Sequence, residues 1–598
     1  MERLARALIP TITDNTTQQH QWTSIYPKPN GTLSSKAAAL SSRFSLRKLT
    51  GLLPYTSSKP PSSSLSRAGK KVLQLDPNPY YGSAEAAFSL DELETWISTL
   101  PAQPTPSSPF SGGTFEKRGD TKRSRDYTLT LAPHILHWDS SILELLRDVQ
   151  MTTQLTWLAL GSWWIYLTDE ALAERPETGS GIEGAMIDAG VKAIRGAGTL
   201  RKKAGWNKNR KPALEDTFTP DNSTPTDPST PLTPSTNAAV PAALRSIGSL
   251  REVPCTIEDV AFSPTLADRD RGYLGGFLRF LSKAADPAET THHALLQENL
   301  TTPFSTFIST NYPLPPSTIA SLHSLTLLPT PPHETPLATA LPRLTAHLSS
   351  LGRIADARSA AALTVAYGGS AEICQVLSRA AAVSGALNVL NRSIATHTTT
   401  ETGITATLTT GETVTAAHLI IAAAPTHTLQ HQRGIFLTSA PFTSLLARKN
   451  DSDNVAPATV IITFPVAAIA NSHPVYCQIR AAATFEAPHG HSVVYTETLD
   501  SSAGVAEAAV RRLLEGQEHG EVLIMSQYTQ DGGGGVPSYE SSGRVVRVPE
   551  CAAGVLWDEG VVSECKEVWR RVVGEEWEGR FCERVRREGE MEQEVEDL

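Results

Sequence analysis

The sequence predicts an α/β fold with a separate helical block, and three observations carry that expectation. Val72, Leu73 and Leu75 form a short apolar run that Asp76 ends and Pro77-Asn78-Pro79 stops, as in a buried strand closed by a turn. Ile373, Val376, Leu377, Ala380, Val383 and Leu387 lie on one helical arc, and β-rich runs follow at Ile404–Leu408, Val414–Ala416 and Leu419–Ala424. Between these regions, residues 253–351 carry apolar side chains at helical spacing. A strand that ends on a carboxylate is half of a dinucleotide-binding βαβ unit, in which the acid accepts from a ribose hydroxyl.

The other half of that unit, a Gly-rich turn, has no counterpart upstream. No G-x-G-x-x-G precedes Val72, and Ser64–Gly69 reads as the tail of a helix with no strand or helix start before it. Residues 1–64, rich in Ser, Thr and Pro, read as disordered or as an error in the predicted start of the gene. Residues 72–168 read as α/β. Phe88–Trp96 reads as a helix with Ser89 as N-cap and Glu92 three residues later, a capping box. Leu129–Leu136 breaks at Pro133, Ile142–Leu146 is amphipathic, and Trp157–Leu167 reads as core strand.

Residues 169–250 read as an insertion, first Gly-rich and basic, then Thr/Pro/Ser-rich from Thr217 to Pro241. In the helical block, Leu274, Phe277, Leu278 and Leu281 form a stripe beside Phe280. Pro315-Pro316 leads a helix through Ile319 and Leu322, and Leu337, Leu341, Leu344 and Leu348 form a stripe that Pro342 should kink. Gly368-Gly369-Ser370-Ala371-Glu372 opens the next helix. Thr410-Gly411-Glu412 joins a hairpin, and Leu419–Pro425 is a buried strand with a small-residue exit. Val460–Phe464 is a strand and Glu564–Val573 a helix, ahead of a charged tail from Gly574. The expected domains are a large domain over 65–168 and 352–573, the 169–250 insertion, a helical domain over 251–351, and a tail over 574–598.

The 598 residues suffice for more than one domain. Lys plus Arg number 52 against 62 Asp plus Glu, a net charge of −10, which argues against a general nucleic-acid binder. Six scattered cysteines without a C-x-x-C pair argue against a zinc site or a disulfide framework. No apolar run reaches the roughly 18 residues of a membrane span, and no secretory or prenylation signal stands at either end. A soluble, cytosolic protein is the expectation. Gly532–Gly535 lacks the Lys-Ser/Thr of a phosphate loop, no G-x-S-x-G or H-E-x-x-H occurs, and His292-His293 stands isolated. No constellation demands catalysis.

Four ordered blocks carry a resemblance. Lys70–Gly82 with Phe88-Ser89-Leu90 closely resembles the first signature region of the Rab escort protein / Rab GDP-dissociation inhibitor family. Val253-Pro254-Cys255 with Asp259-Val260 and Phe277–Phe280 looks like the entry to that family's helical domain. Leu351-Gly352-Arg353 with Tyr367-Gly368, Glu372 and Gln375 looks like its second signature region, and Gly434–Leu437 matches more weakly. The chain departs from the family at Ser83, at Ile354-Ala355 and at Gly369-Ser370-Ala371.

The resemblance implies a flavoprotein-like large domain with mixed sheets that uses no flavin, and a smaller helical domain that receives isoprenyl chains. It implies binding of GDP-loaded Rab GTPases, presentation to Rab geranylgeranyltransferase, and delivery of prenylated Rab in transient contact with membranes. It places Tyr81, Arg353, Glu372 and Arg379 in a Rab-binding platform, and Phe277 and Phe280 on a transferase- or lipid-facing helix. Glu372 and Arg379 stand about 10 Å apart along a helix, too far for a direct ion pair, so each charge stays available to a partner. The expectation is a non-catalytic escort protein with no cofactor and no metal. A dissociation inhibitor, a flavin-dependent oxidoreductase and a paralogue that has lost Rab binding are the alternatives.

Overall fold

The computed structural model describes residues 49–54, 60–103, 108–173, 246–263, 266–284, 290–354, 357–422, 429–449, 453, 455–517, 520–532, 538–539, 543–548, 553–557, 559–574 and 581. Residues 1–48, nearly all of the expected insertion (174–245) and nearly all of the charged tail lie outside the described residues.

A strand does precede Val72. Leu49–Pro54 pairs in parallel with Val72–Leu75 on one side and with Thr413–Ala422 on the other. Leu387–Val389 adds in parallel beyond Val72–Leu75, and Val545–Val548 adds in parallel beyond Thr413–Ala422. Counted along the chain, the five strands run third, second, first, fourth, fifth, the order of a doubly wound nucleotide-binding sheet. The strand expected to be missing is its centre. Leu49-Thr50-Gly51-Leu52-Leu53-Pro54 is hidden in sequence because it is short and set in a Ser/Thr/Pro-rich tract. Its register against two apolar strands, one on each side, supplies what its own pattern lacks.

Leu419–Ala422 is not a strand of its own. Thr413–Ala422 is continuous, since no breaker interrupts Val414 to Ile421. Its first half pairs antiparallel with Gly403–Leu408, which pairs with Ile394–Thr400; its second half holds Val545–Val548. The helices Pro60–Arg67, Ser370–Val383 and Gly560–Val573 carry this eight-stranded sheet on one face, packing Leu65, Ala381, Val568 and Trp569 on Val72, Ile420 and Val546.

A second sheet has eleven strands. It contains Phe110–Lys117, Val522–Gly532, Leu429–Thr438, Ser492–Thr498, Val475–Ala481, Thr459–Phe464, Trp157–Tyr166, Ala362–Val365 and Leu136–His137, in that order across the sheet. Helix Val505–Leu514 covers one face over Phe436, Ile462, Val475 and Val494. The Leu90–Thr99 helix starts as read, with the Ser89 N–H donating to Glu92 Oε2 at 2.9 Å.

Helices from Ile257–Phe262 to Leu337–Ser350 form the helical block, and the last runs through Pro342. Their core is continuous with the sheet: Phe277, Phe304, Leu322 and Leu344 share one cluster with Trp163, Ile461 and Tyr476. At this seam His347 packs edge-on against Trp163 (4.4 Å) and His137 (5.8 Å).

Burial holds His134 and His137 down at about 4 and His323 at about 3. An unfolded histidine titrates near 6.5. Each such residue therefore contributes stability that is whole above pH 6.5 and is lost as pH falls toward its folded pKa. The unfolding free energy should drop by about 2 kcal/mol per buried histidine between about pH 7 and pH 5. Denaturant midpoints that coincide at the two pH values would contradict neutral burial.

Candidate functional site

The turn after Val72–Leu75 is built by Asp76. Its Oδ1 accepts from the Asn78 N–H (2.9 Å) and from Asn78 Nδ2 (3.1 Å), a local Asx turn. The two tyrosines that follow part company. Tyr80 turns inward, edge-on to Phe88 at 4.9 Å, and its hydroxyl accepts from Trp96 Nε1 at 3.1 Å. Tyr81 stays 42% exposed. Gly82 has φ +114, and a Cβ there would stand 2.7 Å from Ala86 Cα, so only glycine fits. Ser83 follows at φ 49 and opens a 3-10 turn, Ser83–Glu85, against the Ser370–Val383 helix.

That helix is the second part of the site. Strand Ala362–Val365 delivers Tyr367, at φ 67 and 47% exposed, then Gly368 and Gly369. Glu372 is half-buried in the first turn, and burial pushes its carboxyl pKa up. Gln375 and Arg379 are exposed on the following turns. The Tyr81 turn and the helix head meet closely: a Cβ on Gly368 would lie 3.0 Å from Ala87 Cβ and 3.4 Å from Glu372 Oε1.

A third segment completes the surface. Phe485 ends the 3-10 turn Ala482–Thr484 at φ 62, 55% exposed. Its ring stacks on Tyr367, with centroids 5.0 Å apart and planes at 16°. The Tyr367 N–H donates to Thr484 O at 2.8 Å. Below lies a buried ion pair between Arg480 and Glu486. Ser83, Tyr367 and Phe485 are all non-glycine residues at positive φ. Such strain persists only where surrounding structure imposes it, and it gathers at ligand and partner sites.

Of the sequence-predicted residues, Tyr81 and Glu372 flank this surface, with Arg379 two turns along the same helix. Arg353 lies in the turn after the Leu337–Ser350 helix, and its Nε donates back to Ser349 O at 3.3 Å. Phe277 and Phe280 correct the expectation of a partner-facing helix face. Both are buried, 0% and 4% exposed, against Tyr312 and Phe307. That expectation came from the resemblance, and the stripe itself is the ordinary helix core that its apolar spacing allows. Sequence reasoning gave no site role to two exposed rings, Tyr367, named only within the second signature region, and Phe485. Tyr367 had a signal, an aromatic before Gly368-Gly369 at a helix start; Phe485 had none.

The fold raises the question of a bound dinucleotide. The helix after the central strand, Pro60–Arg67, begins Pro60-Pro61, so two first-turn N–H groups that would face a pyrophosphate do not exist. The preceding segment, Tyr55-Thr56-Ser57-Ser58-Lys59, holds no glycine and lies outside the described residues. One oxygen of Asp76, Oδ1, is engaged with Asn78. These residues do not fit the group. Among the described residues no three His, Cys, Asp or Glu side chains gather to hold a metal ion, and no helix is long and apolar enough to cross a membrane.

No protein-family model matches the chain, and no curated protein matches it. Solved structures do. The chain resembles a Rab GDI from Plasmodium falciparum at 15% identity over 88% of this chain and 98% of that one, with a TM-score of 0.54. An oxidoreductase from Methanosarcina mazei aligns at 11% identity over 87% and 100%, with a TM-score of 0.49. A triple mutant of putrescine oxidase aligns at 12% over 88% and 98%, with a TM-score of 0.42. The Rab GDI likeness establishes a shared fold, the mixed α/β architecture expected from the sequence.

Two outcomes follow. Phe277→Ala should cost about 3–5 kcal/mol of unfolding free energy, as for a buried ring; a denaturant midpoint that stays in place would return Phe277 to the surface. Added FAD should leave the thermal midpoint where it is, whereas a concentration-dependent rise would show that the Pro60–Arg67 end accepts a dinucleotide.

Proposed function

We propose that this protein is a Rab escort protein. It binds GDP-loaded Rab GTPases, presents them to Rab geranylgeranyltransferase and delivers the prenylated product to membranes, acting as a non-catalytic component. The observation that carries this reading is the exposed surface formed by Tyr81, Tyr367 and the head of the Ser370–Val383 helix, within a fold shared with a Rab GDI. Aromatic rings supply contact area at small entropic cost, with hydroxyl tips that remain wet until a partner arrives. Glu372 and Arg379 offer both signs of charge along one helix, which sets register and orientation more than affinity. On this reading the surface binds and presents, and the chemistry belongs to the transferase.

A dissociation inhibitor is the second reading, favoured by the Rab GDI likeness. The chain length and the 169–250 insertion favour escort. A prenylation assay with purified transferase and a GDP-loaded Rab separates them. Escort function requires that this protein stimulate lipid transfer; binding without stimulation makes it an inhibitor, and no binding of either nucleotide form ends both readings.

Arg379→Ala should weaken Rab binding roughly 5- to 30-fold, the range of a productive interface residue, and leave the thermal midpoint unchanged because the side chain is exposed. Unchanged affinity would remove Arg379 from the surface.

A further inference from the structure

We propose that Phe485 is a contact residue of the docking surface, and that Arg480 and Glu486 are positioning residues that act through it. This rests on the GTPase-docking reading above. Phe485 combines two unfavourable features: a large ring more than half exposed to water, and a left-handed backbone that aromatic residues avoid. Neither helps folding, so something holds them.

What holds them is a set of bonds that converge on residues 480–486. The Phe485 N–H donates to Ala482 O at 3.0 Å, and Thr484 Oγ1 to Ala481 O at 2.8 Å. Glu486 O accepts from the Thr128 N–H at 3.0 Å. The Glu486 carboxylate takes Arg480 Nη1 on one oxygen and the Tyr495 hydroxyl on the other, at 2.8 Å. Tyr495 in turn accepts from the Thr130 N–H at 3.1 Å. All four side chains of this set, Arg480, Glu486, Tyr495 and Thr364, are buried.

Arg480 also reaches the other half of the surface. Its Nη2 donates to Thr364 Oγ1 at 2.6 Å, on the strand that leads into Tyr367. Its Nη1 lies 3.2 Å from where a Cβ on Gly369 would stand, at the head of the helix that carries Glu372. One guanidinium thus ties the Phe485 loop to the Tyr367–Gly369 turn. Apolar residues of similar volume would hold a core at least as well as a buried ion pair, so stability alone does not explain this pair. Directed bonds select one geometry, and that geometry sets Phe485 on Tyr367 before any partner arrives. The partner that fits presents an apolar recess for a ring, rimmed by charges that complement Glu372 and Arg379.

The test is a double-mutant cycle, read as the dissociation constant for a purified GDP-loaded Rab with the full chain. Phe485→Ala should weaken binding about tenfold, as a central aromatic contact does; its exposure keeps folding intact. Glu486→Gln should weaken binding about threefold or more in the native background and cost nothing further in the Phe485→Ala background, since coupled residues are non-additive. Phe485→Tyr should restore most of the affinity. If Glu486→Gln does not fold, Tyr495→Phe, which deletes one hydroxyl of the same set, replaces it in the cycle. Equal binding by Phe485→Ala and the native chain overturns the inference while leaving the docking reading standing. Equal costs of Glu486→Gln in both backgrounds overturn the positioning role. Failure of the native chain to bind any GDP-loaded Rab removes the docking reading, and this inference with it.

Discussion

The parallel sheet is closed by the pairing of Leu49–Pro54 between Val72–Leu75 and Thr413–Ala422. Without that strand, Val72–Leu75 and Leu387–Val389 would detach from the rest of the sheet, and the turn that carries Tyr81 would lose its anchor. The helices Pro60–Arg67, Ser370–Val383 and Gly560–Val573 pack across these strands through one apolar cluster. The position of Glu372 and Arg379 thus depends on a six-residue strand that lies more than three hundred residues away in sequence.

The candidate surface sits where the two sheets exchange segments. Tyr81 comes from the turn after Val72–Leu75 of the first sheet, Tyr367 from the bend after Ala362–Val365 of the eleven-stranded sheet, and Phe485 from the loop after Val475–Ala481. A buried charge pair at that junction is costly to desolvate and is offset only by complete hydrogen bonding. The carboxylate of Glu486 has both oxygens engaged, and Arg480 reaches Thr364 as well. Burial still pushes the Glu486 pKa up, with the Arg480 charge opposing it.

Much of the local structure was legible. The Ser89–Glu92 capping box, the Gly369-led helix and the hairpin at Thr410–Glu412 follow from side-chain chemistry that acts over three or four residues. Tyr81 and Glu372 were named from the family resemblance, and the structure sets Tyr81 in an exposed turn and Glu372 in the first turn of Ser370–Val383. Leu49–Pro54 was not legible, since a strand paired on both sides in a parallel sheet needs no alternating pattern of its own. Phe277 and Phe280 were set on a partner-facing helix by the resemblance alone; their spacing was equally that of a core, and the packing of Tyr312 and Phe307 against them is a tertiary contact.

By itself, the sequence determined the α/β class, the helical block, the capped helix starts and the turn chemistry around Asp76 and Gly82, all of which rest on neighbours in the chain. Tertiary structure alone decided the central strand, the inward turn of Phe277, and the meeting of Tyr367 with Phe485. Those depend on contacts between segments that are not neighbours in the chain, from 21 positions apart for Gly51 and Val72 to 118 for Tyr367 and Phe485 and more for Leu49 and Ala416, and no local pattern records which distant segment will supply the other half of a pairing.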